Sequence, residues 1–70
     1  MLIIQEKSNR EFVFAFSQFE YMVNDRGTIK LYFKVFDASF KVYDGTETGI
    51  FQAIKDAKDG KIGRVRADLV

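Results

Sequence analysis

Residues 12–36 read FVFAFSQFEYMVNDRGTIKLYFKVF, two runs rich in aromatic and β-branched residues that flank Asn24-Asp25-Arg26-Gly27. This composition predicts a β-hairpin, because Asn, Asp and Gly form tight turns while the flanking residue types favour strands. The order Asn-Asp-Arg-Gly suits a type I turn followed by a left-handed residue, and Gly27 adopts that conformation without a Cβ clash. The turn therefore sets the pairing of the two strands.

The predicted turn fixes one strand register, in which Asn24 lies opposite Thr28. A slip of one residue would mix the apolar and polar faces of the ribbon, so the alternation of side chains favours the same register. The apolar face then consists of three facing pairs, Val23–Ile29, Tyr21–Leu31 and Phe19–Phe33.

The strand before the turn, residues 11–24, is unusually long, and its aromatic residues change phase. Three Phe residues alternate onto one face: Phe12, Phe14 and Phe16. The later apolar residues alternate onto the other face. A β-bulge near Ser17-Gln18 would bring both sets to one side and bend the strand. A regular strand would instead expose the three Phe side chains as an apolar patch, and such patches mark interaction sites. Both alternatives are open, and the three Phe residues are the predicted protein-interaction site.

The remaining strands are shorter. Leu2-Ile3-Ile4 predicts a first strand, residues 28–36 a third and residues 40–43 a fourth, with Val35 facing Val42. The last stretch, residues 61–70, alternates apolar residues with charged ones and predicts a half-buried fifth strand.

One amphipathic helix lies between the last two strands. Asp44 and Glu47 have the spacing of a capping box with Asp44 as N-cap, and Thr46 and Thr48 are rival caps. Apolar residues recur at helical spacing from Ile50 onward, and Gly60 ends the helix. The order β-β-β-β-α-β predicts a single α+β domain over residues 1–70. Its curved antiparallel sheet has four to five strands, either open or partly closed as a small barrel, and is packed by one helix.

The amino-acid composition excludes several classes of function. The 70 residues contain no Cys and no His, so a disulfide and an ordinary zinc site are excluded and the commonest general base is missing. We expect a non-enzymatic protein without cofactor or metal. The net charge of +1 is not the strongly basic balance typical of proteins that coat nucleic acid.

Basic and aromatic residues nevertheless share strand faces. Single-stranded nucleic acid is held in this way, because bases stack on rings while cations follow the phosphates. A solvated sheet face with Glu20 balancing the lysines is the simpler interpretation. The residues of this candidate nucleic-acid site are Lys30, Tyr32, Lys34, Lys41, Tyr43, Arg64 and Arg66.

We therefore predict a small binding module, with protein–protein interaction and self-association as a homodimer or larger assembly as the leading function. Single-stranded nucleic-acid binding is the alternative. The longest uncharged run, residues 12–19, is far shorter than the ~20 residues that span a bilayer, so we expect no membrane partner and a cytoplasmic location. Small size and plain composition also fit an accessory protein of a phage or mobile element.

Overall fold

A computed structural model describes all residues from 1 to 70. One helix, Glu47–Lys58 (α1), packs on a sheet of six strands. The strands are Leu2–Gln5 (β1), Glu11–Phe14 (β2), Phe19–Asp25 (β3), Thr28–Phe33 (β4), Ser39–Asp44 (β5) and Gly63–Leu69 (β6).

The strand order across the sheet is β2-β1-β6-β5-β4-β3. Neighbouring strands are antiparallel except β1 and β6, which are parallel. The α+β class with a single helix agrees with the prediction. The sheet differs from the predicted one in having six strands rather than four to five and in its parallel pair. Of the two predicted alternatives, an open sheet or a partly closed barrel, the open sheet is the one observed.

The additional strand arises because the predicted long strand is broken between β2 and β3. Residues Phe16–Gln18 form a 3₁₀ turn, and the Gln18 side-chain oxygen accepts a hydrogen bond from the Ala15 N–H at 3.1 Å. The chain therefore turns a corner within four residues and passes from one edge of the sheet to the other. The turn also explains the change of phase in the aromatic pattern.

The hydrophobic core lies on the sheet face that α1 covers. Phe14 of β2 stacks on Phe33 of β4 with ring centroids 4.0 Å apart, and Phe12 meets Phe40 edge-on at 5.1 Å. Because β2 and β4 lie far apart in the strand order, these contacts require the sheet to curl around the core. Its largest fully buried side chains are Phe33, Phe40, Leu2, Ile4 and Leu31.

The β3–β4 turn is tighter than predicted. Arg26 and Gly27 both have positive φ, 54° and 87°, so they form the two-residue loop of a type I′ turn with Asp25 opposite Thr28. Type I′ matches the twist of the strands, whereas the predicted longer loop would have left Asn24 at that position. The predicted register is therefore wrong by one residue next to the turn.

This shift moves two side chains to the opposite face of the hairpin. Tyr21 lies opposite Tyr32 and Val23 opposite Lys30, so the predicted pairs with Leu31 and Ile29 are wrong. Tyr21 is 45% and Val23 39% exposed. One extra residue at position 20 forms a bulge, which restores the predicted pairing of Phe19 with Phe33.

The pairing of β4 with β5 also differs from the prediction. Lys30 lies opposite Lys41, and the predicted partners Val35 and Val42 are not paired. Val35 lies beyond the end of β4 and is 59% exposed. In β6 the predicted alternation is confirmed from Arg64 to Ala67, with Val65 and Ala67 buried and the arginines exposed, but Leu69 at the strand end is 36% exposed.

Helix α1 begins at a cap other than the predicted one. Thr46 is the N-cap, and its Oγ1 accepts a hydrogen bond from the Gly49 N–H at 3.0 Å. Asp44 is the last residue of β5, where its carboxylate pairs with Arg66. Gly60, with φ of 83°, follows the helix end as predicted. No helix in this protein has both the length and the apolar character needed to cross a membrane.

Helix and sheet meet at backbone contact distance. A Cβ atom on Gly63 of β6 would lie 1.9 Å from the Ala53 carbonyl oxygen of α1. Only glycine fits there, because any side chain would force the two elements apart. Ile50, Ala53 and Ala57 form the buried stripe of the helix.

A buried carboxylate joins the β1–β2 connection to the end of β6. Glu6 is 6% exposed, and its Oε1 accepts a hydrogen bond from the Arg10 Nε at 2.6 Å. Its Oε2 accepts one from the Leu69 N–H at 2.8 Å. The Arg10 and Leu69 hydrogen bonds lower the pKa of Glu6, although its burial acts in the opposite direction.

Candidate nucleic-acid interface

The sheet face opposite α1 carries no packed element, and we call it the open face. Strand alternation and the bulges in β3 and β5 direct most of the predicted basic and aromatic residues to this face. Its basic and aromatic members are Tyr21, Lys30, Tyr32, Lys41, Tyr43, Arg64 and Arg66. Lys34 lies just beyond the end of β4, where its backbone N–H donates to the Gln18 carbonyl oxygen at 2.9 Å.

Two lysines face each other across β4 and β5 on the open face. Lys30 of β4 lies directly opposite Lys41 of β5, and neither ammonium group has a carboxylate within ion-pair distance. Asp68, the cross-strand neighbour of Lys41 on β6, accepts a hydrogen bond from the Lys7 backbone N–H at 3.0 Å. Like charges directly opposite each other destabilise a strand pair. The two ammonium groups therefore form a like-charge pair without an ion-pair partner, in a depression that Asp25 also lines.

Two tyrosines lie beside the lysines. The rings of Tyr21 and Tyr32 are 4.6 Å apart between centroids and tilted by 37°. A depression of about 390 Å³ extends from Tyr32 past both lysines, and Asp25 also lines it. We call the four residues Tyr21, Lys30, Tyr32 and Lys41 the Lys–Tyr patch.

Sequence reasoning missed Tyr21 as a member of this face. The predicted register, with a type I turn followed by a left-handed residue, places Tyr21 among the core residues. The observed type I′ turn places it opposite Tyr32 instead. The signal that could have found it is Arg26-Gly27 as a two-residue loop, since Gly is favoured in such turns.

The two arginines of the open face are already paired. Arg64 contacts the Glu11 carboxylate at 3.3 Å, and Arg66 contacts Asp44 at 2.9 Å. These ion pairs are solvent-exposed, and exposed pairs contribute only about 0–1 kcal/mol, so a stronger anion can displace them. The arginines therefore form a secondary part of the candidate interface.

Tyr43 is also held by contacts within the chain. Its hydroxyl donates a hydrogen bond to the Gln5 carbonyl oxygen at 3.1 Å, and the Lys7 ammonium lies 5.1 Å from its ring centroid. One face of this ring is thus covered by a cation. Of the predicted rings, Tyr32 is the one free to stack on a ligand together with Tyr21.

The three Phe residues of the predicted protein-interaction site lie on the core side. Phe14 is 4% exposed, and Phe12 and Phe16 are half-buried against the core. The inward alternative is therefore the one that the chain adopts, through a 3₁₀ turn at residues 16–18 instead of a bulge. A partner contact at these residues stays a prediction.

The chain has no match among protein-family models, curated proteins or solved structures. No group of three or more carboxylates lies close enough together to hold a metal ion. The chemistry that the open face offers is recognition of an anion: two ammonium groups for negative oxygens beside two rings for flat apolar groups.

Proposed function

We propose that the protein is a non-enzymatic binding module whose open face holds single-stranded nucleic acid. The observation that carries this proposal is the Lys30–Lys41 pair, two cations without ion-pair partners that lie opposite each other beside the exposed ring of Tyr21 and the half-buried ring of Tyr32. A phosphate between the two ammonium groups removes their mutual repulsion. A base adjacent to that phosphate reaches the tyrosine rings, where stacking contributes about 1–3 kcal/mol.

The small number of free cations determines the strength of binding. If the two lysines neutralise two phosphates of a single strand, the logarithm of the association constant should fall with the logarithm of the salt concentration at a slope of about −1.4. This slope is far below that of proteins coating duplex DNA, in agreement with the net charge of +1. Binding should therefore be weak and confined to low ionic strength.

Titration of a fluorescently labelled oligothymidine at several salt concentrations tests the proposal. The double variant Lys30→Gln, Lys41→Gln should abolish most of the salt dependence, because it removes both free cations. Lys58→Gln, on the exposed surface of α1, is the matched control and should leave the affinity unchanged. Absence of binding by the wild type at low salt refutes the proposal.

The stacking contribution is tested separately at Tyr32. Tyr32→Ala should weaken oligothymidine binding by ~1–3 kcal/mol, whereas Tyr32→Phe should retain it because the ring is kept. Equal losses in both variants would show that the hydroxyl, and not the ring, contacts the ligand.

Self-association through Phe12, Phe14 and Phe16 also follows from the sequence, but the rings pack against the core instead of forming a free patch. The Lys–Tyr patch, whose Tyr21 is 45% exposed, has no intramolecular partner of this kind. For this reason nucleic-acid binding is the better supported of the two functions.

A further inference from the structure

The edge of the sheet at β3 is long and largely unprotected. Five of its seven residues are exposed, and its central run Tyr21-Met22-Val23 carries no charge and no Pro. Edge strands are normally blunted by lysine, proline or shortness, because their free backbone groups pair readily with another strand. The opposite edge, β2, has four residues and is flanked by the Arg64–Glu11 ion pair. The β3 edge is therefore the more available of the two.

The hairpin turn determines which backbone groups of β3 are free. In a two-residue loop the residues flanking the turn, here Asp25 and Thr28, form a hydrogen-bonded pair, and such pairs alternate along an antiparallel ladder. Val23 and Tyr21 consequently bond to β4. The N–H and C=O groups of Met22 and Asn24 point away from β4, toward the open edge.

We propose that a second copy of this chain pairs with β3 in antiparallel orientation around a two-fold axis at Val23. This register brings Met22 of one copy opposite Asn24 of the other, so the free backbone groups of both residues are satisfied. Such an interface is isologous and closes after two copies. The axis is perpendicular to the sheet, so the two open faces lie side by side.

Charge complementarity selects this register. It places Glu20 of each copy opposite Arg26 of the other, two ion pairs across the interface. Both side chains are exposed, and neither makes an ion pair within its own chain. A register shifted by two residues toward the bulge, with Met22 on the axis, would place Glu20 opposite Asn24 and Arg26 opposite Gln18, so neither ion pair would form.

The mass in solution tests the dimer. By light scattering the wild type should have twice the 8.1 kDa of one chain. Val23→Lys should be a folded monomer, because two ammonium groups would meet on the axis, and the dimer should weaken at least about tenfold. Val13→Lys, at a 59% exposed position of β2, is the matched control and should remain dimeric.

A charge-exchange cycle tests the register. Glu20→Arg and Arg26→Glu should each weaken dimerisation, and the double variant should restore it, because the pair is re-formed with opposite polarity. A monomeric wild type, or a Val23→Lys variant that stays dimeric, overturns the proposal. A double variant no tighter than the single ones overturns the Val23-centred register. Dimerisation through β3 requires no nucleic acid, so these results are independent of oligothymidine binding.

Discussion

At the scale of single residues, the buried carboxylate of Glu6 makes a pH-dependent contribution to stability. Both oxygens of its carboxylate are held, one by the Arg10 guanidinium and the other by the Leu69 N–H. Its pKa is lowered in the folded chain, so the folded state binds a proton less readily than the unfolded state. The resulting stabilisation is present above the ordinary pKa of a glutamate and is lost as the pH falls through the lowered value.

We expect the denaturant midpoint of the wild type to fall between neutral pH and about pH 3, where carboxylates become protonated. Glu6→Gln should flatten this part of the curve, because the glutamine cannot titrate and does not hold Arg10 as an ion. Unfolding monitored by circular dichroism at several pH values measures both curves. Glu11→Gln, whose exposed pair with Arg64 contributes about 0–1 kcal/mol, is the control and should give a curve parallel to the wild type. A parallel curve for Glu6→Gln would contradict the assigned role.

At the scale of elements, the start of α1 distinguishes two candidate caps. Thr46→Ala should destabilise the protein by ~1 kcal/mol, because the Gly49 N–H loses its acceptor. Asp44→Ala should change stability by less than about 0.5 kcal/mol, because it removes only an exposed ion pair with Arg66. Chemical unfolding of the two variants under identical conditions gives the comparison. The reverse order would restore Asp44 as the cap.

Local patterns predicted the elements better than their connections. Alternation in β6 and the helical spacing of Ile50, Ile54 and Ala57 depend on neighbours in sequence, and both are as expected. The hairpin register failed because Arg26, an unusual residue for positive φ, occupies the first position of a type I′ turn. The bulge at Glu20 restores the predicted pairing of Phe19 with Phe33, and no local sequence pattern predicts this bulge.

In the candidate interface too, features that depend on neighbours in sequence were predicted, whereas features that depend on contacts between distant residues were not. Alternation predicted which basic and aromatic residues share a face within each strand, because each strand keeps its own phase. That β4, β5 and β6 present Lys30, Tyr32, Lys41 and the two arginines on one common face is seen only in the structure. That Lys30 lies opposite Lys41 depends on the register of β4 and β5. The predicted register, with Val35 opposite Val42, would not have placed the two lysines opposite each other. The ion pairs that engage Arg64 and Arg66 depend on contacts between distant parts of the chain.

At the scale of the whole molecule, the core depends on rings contributed by both edges of the sheet. Phe14→Lys should prevent folding, because a charge would replace a ring that is 4% exposed and stacked on Phe33. Val13→Lys, at the neighbouring position on the opposite face, should fold with a change of less than about 0.5 kcal/mol. Circular dichroism distinguishes the two outcomes. A folded Phe14→Lys variant would place that side chain outside the core.

The parallel pairing of β1 with β6 has a consequence for how the chain reaches this structure. The centre of the sheet joins strands from opposite ends of the sequence, and Leu69 bonds to Glu6 across 63 positions. The entropy of closing that loop is lost before the central contacts form, so folding should be slow for a chain of this size. During synthesis the β3–β4–β5 meander leaves the ribosome without the strand that connects it to β1. Until β6 emerges, the Phe-rich segment remains accessible to chaperones and to aggregation.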